Sequence, residues 1–389
     1  MKRSVGAIVA VVLGLAALFV GSPLEAQVQI ESGATKIKFG GRVQVQAGTS
    51  TCSDYSTDGD PSSDCVRDVP AVDMFIRRAR LTIDVQVNKW ISARIQPEFG
   101  KINGFRLADA YGRLNLAPDA ETSHARITLG HFKRPFDLFA LASSTQLLTI
   151  ERAVLIRGLP ATSYGAITVL NRHADRDVGV MVDGGTKGDR FHYWVGAFNG
   201  GLAFENRDTN GGKQVVGRAQ YRLSTGPRPV RVGVAGSLTS QPFLRANESL
   251  GGKENGAWEI FAEMGDYGGG AHLMAALVGG KNTFQNKLGD TPDLEADDEF
   301  ADLITWQAMG SWKFDVESFW VEGIEPILRL TMADPNRSLQ DDTVWGFTPG
   351  VQIFFDRRNK IALNWDFVSF SDGARRSENS FKARYQFHF

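Results

Sequence analysis

Residues 381–389 alternate without exception. Phe, Ala, Tyr, Phe and Phe take the odd positions, and Lys, Arg, Gln and His the even ones. Period-two alternation over this length predicts a β-strand with one apolar and one wet face. A flat aromatic strand at the end of a soluble sheet invites edge-to-edge association, whereas a closed barrel has no edge and can turn its apolar face to lipid. The same pattern recurs along the chain. Residues 35–47 set Val43, Val45 and Ala47 against Arg42, Gln44 and Gln46. Residues 79–87 set Ala79, Leu81, Ile83, Val85 and Val87 against Arg80, Thr82, Asp84 and Gln86, and residues 90–99 behave likewise. Further strands are predicted near 105–116, 124–133, 175–183, 190–199, 213–223, 229–240, 256–267, 270–280, 301–314, 318–333, 343–356, 360–371 and 378–389. These make sixteen, and an even number suits a bacterial barrel. The expected fold is all-β, a 16-stranded antiparallel transmembrane β-barrel.

The connections alternate too. Those at 88–89, 184–189, 224–228, 268–269, 315–318 and 357–360 are short, and those near 48–71, 134–174, 199–212, 241–255, 281–300 and 334–342 are longer. Short periplasmic turns and long outer loops are the barrel arrangement. Segments 101–104 and 117–123 depart from it. Trp90, Trp258, Trp306, Trp312, Trp345 and Trp365 fall at strand ends or outward positions, as interfacial girdles would use them.

Composition narrows the picture. Lys2 and Arg3, an apolar stretch from Val5 to Val20, and Leu24-Glu25-Ala26 read as a secretory signal over 1–26, which leaves a barrel domain of 27–389. No run of 18 apolar residues follows, so no transmembrane helix is expected. Without Lys2, Arg3 and Glu25 the chain has 41 bases and 43 acids, which argues against a nucleic-acid partner. Cys52 and Cys65 lie in a polar, turn-forming stretch of an exported chain and are expected to form a disulfide. The six histidines have no ligand spacing with them, so neither a metal nor a cofactor is expected.

With the apolar faces outward, the lumen receives Arg42, Arg78, Arg80, Arg94, Arg113, Arg126, Arg218, Arg222, Lys382 and Arg384. By the same parity Arg77 faces outward, unless a bulge turns it in. Residues 72–134 hold eleven bases against six acids. Guanidinium forks bond carboxylate and phosphate oxygens in pairs, and rows of them in a narrow pore attract anions. The same arginines can instead pair with Asp84, Glu98 and Asp109 and fill a polar interior.

Residues 74–81 (MFIRRARL) and 129–136 (LGHFKRPF), with Ser143-Ser144 and Glu151-Arg152 beyond them, resemble the phosphate-selective porin O and P family. The likeness is strongest over about 36–160. It implies a sixteen-stranded, usually trimeric barrel of the bacterial outer membrane that carries phosphate or polyphosphate. It also implies arginines along the pore and a third loop folded inward to narrow it. By motif, Arg77, Arg78 and Arg80 match the basic cluster of the second strand, and Lys133 matches the basic residue leading into the third loop. This chain departs from the family's lysine-rich vestibule: 134–174 contains no Lys, but Arg134, Arg152, Arg157 and Arg172.

Segment 134–174 is too long for an idle connection and too apolar for disorder. It must bury its leucines and phenylalanines, either against the barrel wall or as a flap on neighbouring loops. Residues 290–302 carry seven acids and read as a solvated loop. The expected function is a passive, anion-preferring channel without catalytic residues. Its pore-lining candidates are Arg77, Arg78, Arg80, Arg94, Arg113, Arg126, Lys133, Arg134 and Arg152. Expected partners are phosphate-like anions, outer-membrane lipid and two further copies of the chain. A general or carboxylate-type porin is the alternative.

Overall fold

The computed structural model describes residues 28–50, 71–100, 105–117, 124–152, 154, 163–186, 188, 190–201, 208, 212–224, 226–245, 248–283, 300–316, 318–371 and 377–389. The 1–26 segment, Cys52 and Cys65, Arg157 and most of the 290–302 acidic run lie outside them.

Eighteen strands follow in chain order: β1 (Val28–Ser32), β2 (Thr35–Ser50), β3 (Ala71–Gln86), β4 (Ile91–Glu98), β5 (Arg106–Asn115), β6 (His124–Lys133), β7 (Arg176–Gly185), β8 (Phe191–Phe198), β9 (Gln214–Arg222), β10 (Val230–Arg245), β11 (Glu248–Met264), β12 (Ala271–Asn282), β13 (Ala301–Trp312), β14 (Phe314–Asp315), β15 (Gly323–Asp334), β16 (Val344–Phe354), β17 (Lys360–Phe370) and β18 (Glu378–His388). Two short helices, α1 (Leu138–Leu141) and α2 (Tyr164–Leu170), interrupt the run between β6 and β7. Sixteen strands form one antiparallel ring, with β1 and the two-residue β14 as additions on β2 and β15. The ring closes where β18 pairs with β2, from Ser380↔Ser50 to His388↔Arg42. Phe389 completes the seam: its carbonyl accepts from the Gly41 N–H at 2.8 Å and its N–H donates to the Gly41 carbonyl at 3.1 Å. A Cβ on residue 41 would collide with the Phe389 ring, so the closing contact needs glycine there.

Alternation holds through the wall. Leu238 (64 % exposed), Ile260 (54 %) and Trp365 (47 %) face out, while Gln44, Gln307 and Gln352, each 0 % exposed, face in. An exposed apolar outer face and a polar inner one are what a lipid-facing barrel requires. No described helix is long and apolar enough to cross a membrane. The inner face is not polar everywhere. Phe261, Met274, Val278, Leu303 and Met309 are buried in one cluster with Phe136, Leu138, Phe139, Tyr164 and Ile167 of the 134–174 segment. Along this arc the strands are apolar on both faces, and the buried set packs with the apolar side chains of the segment.

Some expected bounds shift. The second long strand begins at Ala71, not 79, and a bulge in its pairing with β2 lies between Gln44↔Arg78 and Val45↔Ile76. The consecutive Met74-Phe75-Ile76 breaks the alternation there, and an extra residue in the strand accommodates it. Strands β10 and β11 run on through most of 241–255, expected as a loop, and pair out to Arg245↔Glu248. The β1 hairpin was not legible, because its five residues are all exposed and bury no apolar face.

Candidate functional site

Lys133 ends β6, and the chain then enters the 134–174 segment. Asp137 caps α1 from a left-handed backbone (φ 70°), accepting from the N–H groups of Phe139 at 2.9 Å and Ala140 at 3.0 Å. Glu259 of β11 receives three donors from the segment: the N–H of Asp137 at 3.1 Å, that of Leu138 at 2.7 Å and the Tyr164 hydroxyl at 3.0 Å. Thr168 of α2 donates to Asp137 at 2.5 Å, so the two helices and β11 form one hydrogen-bonded unit. Burial and the neighbouring Glu259 push the Asp137 carboxyl up to about 7.

The rest of the segment bonds to other strands. Gln44 of β2 donates to the Ser144 carbonyl at 2.9 Å, and Gln352 of β16 to that of Leu147 at 2.9 Å. Asn364 of β17 accepts from the Ile150 N–H at 2.6 Å, and Arg329 of β15 donates to the Glu151 carbonyl at 2.9 Å. Each of these side chains lies on the face opposite the exposed apolar one. A long segment without regular structure must satisfy its backbone polar groups somewhere, and these side chains do it.

The nine candidate cations fall into distinct environments. Arg77 is the bulge residue of β3. It turns in and grips Glu151 with both arms of its fork, at 2.5 and 3.1 Å. Arg78 bonds to Gln44 at 3.0 Å and stands 3.7 Å from Glu151. Burial would raise the Glu151 carboxyl, but Arg77 and Arg78 hold it at about 2. Arg80 pairs with Glu98, Arg94 with Asp84 at 2.6 and 2.9 Å, and Arg126 with Asp183 at 2.5 and 3.0 Å. Arg113 bonds to Thr128 at 3.3 Å and lies over the Tyr111 ring. Lys133 donates to the carbonyls of Ala140 (2.6 Å), Leu141 (3.1 Å) and Ala142 (2.9 Å) at the end of α1. Arg152 donates to Phe139 at 3.1 Å and to the same Ala142 carbonyl at 2.6 Å. Arg134 is 1 % exposed, bonded to Asp177 at 2.9 Å and to the Arg172 and Gly201 carbonyls.

The structure thus brings Arg77, Arg78 and Glu151 together, and separately Lys133 and Arg152. Arg94 and Arg126 sit apart in their own pairs, and Arg134 is enclosed by its own segment, β7 and Gly201 beyond β8. Pairing with strand carboxylates, the alternative left open by the sequence, holds for Arg80 and Arg94. Asp109 is taken by Arg176 at 2.7 Å, a residue that sequence reasoning missed. By parity Arg176 belongs on the outer face. It is buried nonetheless, and follows a left-handed Asp175 (φ 72°) at the start of β7. Lys360 was also missed; it is fully buried and donates to the Leu147 carbonyl at 3.1 Å. Its place at the foot of β17 opposite a polar residue was the available signal.

Comparison with known proteins follows this geometry. A family model described as "Phosphate-selective porin O and P" matches residues 57–252. No curated protein matches the chain. Among solved structures, the anion-selective porin from Comamonas acidovorans superposes with a TM-score of 0.56 at 16 % identity, over 91 % of this chain and 100 % of that one. OmpF of Salmonella typhi, in complex with daunomycin, gives a TM-score of 0.62 at 13 % identity over 93 % and 100 %. The trimer form of OmpT from Vibrio cholerae gives 0.54 at 10 % identity over 92 % and 100 %. At these identities the likeness is one of fold.

Proposed function

Because this chain belongs to the phosphate-selective porin O and P family, we propose that it is a passive outer-membrane channel preferring anions, phosphate or polyphosphate among them, with segment 134–174 folded into the lumen as its constriction. The observation that carries this reading is the Ala142 carbonyl, which accepts from both Lys133 and Arg152. Among the described residues no carboxylate bonds directly to either cation, although Asp175 and Asp109 act on Lys133, and Asp175 and Glu151 on Arg152, from farther away. Arg42 and Arg384, on the adjoining strands β2 and β18, are in the same position: Arg42 bonds to Gln96 at 3.3 Å, and Arg384 to the Ile150 carbonyl. Cations bonded to neutral acceptors keep more of their outward field than Arg80, Arg94 and Arg126, which are in direct contact with carboxylates. An anion would pass along the lumen from one such cation to the next. It binds weakly at each, since a tight single site would stop the current.

On this reading Lys133, Arg152 and the Arg77–Arg78 pair set the potential of the narrow part. Arg80, Arg94, Arg113 and Arg126 line its approaches, and Arg134 holds the base of the segment. The wall hydrogen bonds of Ser144, Leu147, Ile150 and Glu151 support the inward fold. Export by a cleaved 1–26 signal fits the outer-membrane barrel. Assembly as a homotrimer is supported by the trimer form of the similar OmpT, and anion preference by the selectivity in the name of the Comamonas porin. A general or carboxylate-type porin is the second reading, favoured by the carboxylate pairing of Arg80, Arg94 and Arg126.

Phosphate titrated into channels carrying chloride separates the two. Phosphate is expected to reduce the chloride current, and Arg152→Ala to weaken that block about tenfold, the loss of one charge-assisted bond. Chloride current indifferent to phosphate would favour the second reading.

A further inference from the structure

A cavity of ≈ 500 Å³ lies between α1 and the short-connection end of the barrel, against β7–β12. Its lining residues on these strands belong to the inward-facing set, so it is part of the lumen. Its lining mixes chemistries: Leu138, Leu141, Met181 and Met274 are apolar, while Lys133, Arg218, Arg222, Arg231 and Glu263 are charged. Trp194, also in the lining, stacks face to face on His192, with centroids 3.8 Å apart and planes 4° from parallel. Two of the nearby guanidiniums are already matched: Arg231 by Glu263 at 3.3 Å and Asp266 at 2.7 Å, and Arg218 by Glu259 at 3.2 Å. Arg222 differs. It donates to the Gly188 carbonyl at 3.0 Å, its Nε is buried without a hydrogen-bond partner, and no carboxylate pairs with it among the described residues.

A small hydrated anion gains nothing from leucine and methionine walls, and would lose water against them. An anion with an apolar ring or chain gains on both sides, because the hydrocarbon leaves water while the head group meets a guanidinium. We propose that this cavity is a binding site for amphiphilic carboxylates. The apolar part lies against Leu138, Leu141 and Trp194, and the carboxylate bonds to Arg222. The proposal rests on the reading of the chain as an anion channel and adds a class of substrate to it.

Benzoate and acetate test it, since they share charge and head group and differ by the ring. In planar bilayers carrying a chloride current, benzoate is expected to block at about tenfold lower concentration than acetate, the effect of burying part of a ring. Arg222→Gln is expected to weaken benzoate block about tenfold. Leu141→Gln is expected to weaken benzoate block and leave acetate block in place. Equal block by the two anions in the unaltered protein would overturn the proposal, and that comparison needs no variant to fold. If the same channels favour chloride over potassium, the anion-channel reading survives such a result. Potassium preference would overturn both. Benzoate block unmoved by either substitution would also overturn the proposal.

Discussion

Arg77 shows how much one residue's conformation decides. Strict alternation would have put its guanidinium in lipid. The bulge at Arg77 itself, between Ile76 and Arg78, brings it inside instead, onto Glu151. The pair spans seventy-four positions of sequence, so no local pattern could have revealed it. Alternation indicated which cations face inward; it could not say which carboxylate each meets. Glu151 is the hinge of the local charge balance, with Arg77 and Arg78 bonded or close to it. Neutralising it leaves both arginines uncompensated. At about 10 Å and an effective dielectric near 20, one unit charge contributes about 1.7 kcal/mol, about fifteen-fold in anion occupancy before screening. Glu151→Gln is therefore expected to raise the chloride-to-potassium permeability ratio, most at low salt. A ratio that falls or stays fixed would mean that the pair lies outside the ion path.

Among the elements, the 134–174 segment carries most of the functional argument and was only partly legible. Its length and apolar content said that it must be packed against something. Which wall received it depended on Glu259, Gln352 and Asn364, dispersed over three strands that nothing in the segment's own sequence indicates. Its docking on β11 joins a carboxyl raised to about 7, that of Asp137, to the carboxylate of Glu259, with Tyr164, Thr168 and Arg218 around them. The sign follows from linkage. A carboxyl whose folded-state value lies above its unfolded value of 3.8 favours the docked state at low pH. That contribution is complete below about 4 and is lost as pH rises toward about 7. Single-channel traces should therefore show more frequent excursions from the main conductance level at pH 8 than at pH 5. Asp137→Asn keeps an acceptor for Phe139 and Ala140 and should flatten that dependence. An unchanged pH profile in the variant would assign the effect to another group.

For the whole molecule, sixteen alternating segments, an even count and a terminal aromatic strand were enough to give the ring. The closure itself runs through backbone bonds between Gly41 and Phe389, at opposite ends of the described chain. The apolar residues buried along β11–β13 were the part that alternation misread, because they pack in one cluster with the apolar side chains of the 134–174 segment. In the proposed channel Lys133 and Arg152 are held by neutral carbonyls, and on that reading their field reaches the permeating ion. The zero-current potential across a potassium chloride gradient measures that field directly. The sign should be that of a chloride-preferring channel, and Arg152→Glu should move it toward potassium. A potassium-preferring wild-type channel, or a potential unmoved by that charge reversal, would contradict the account.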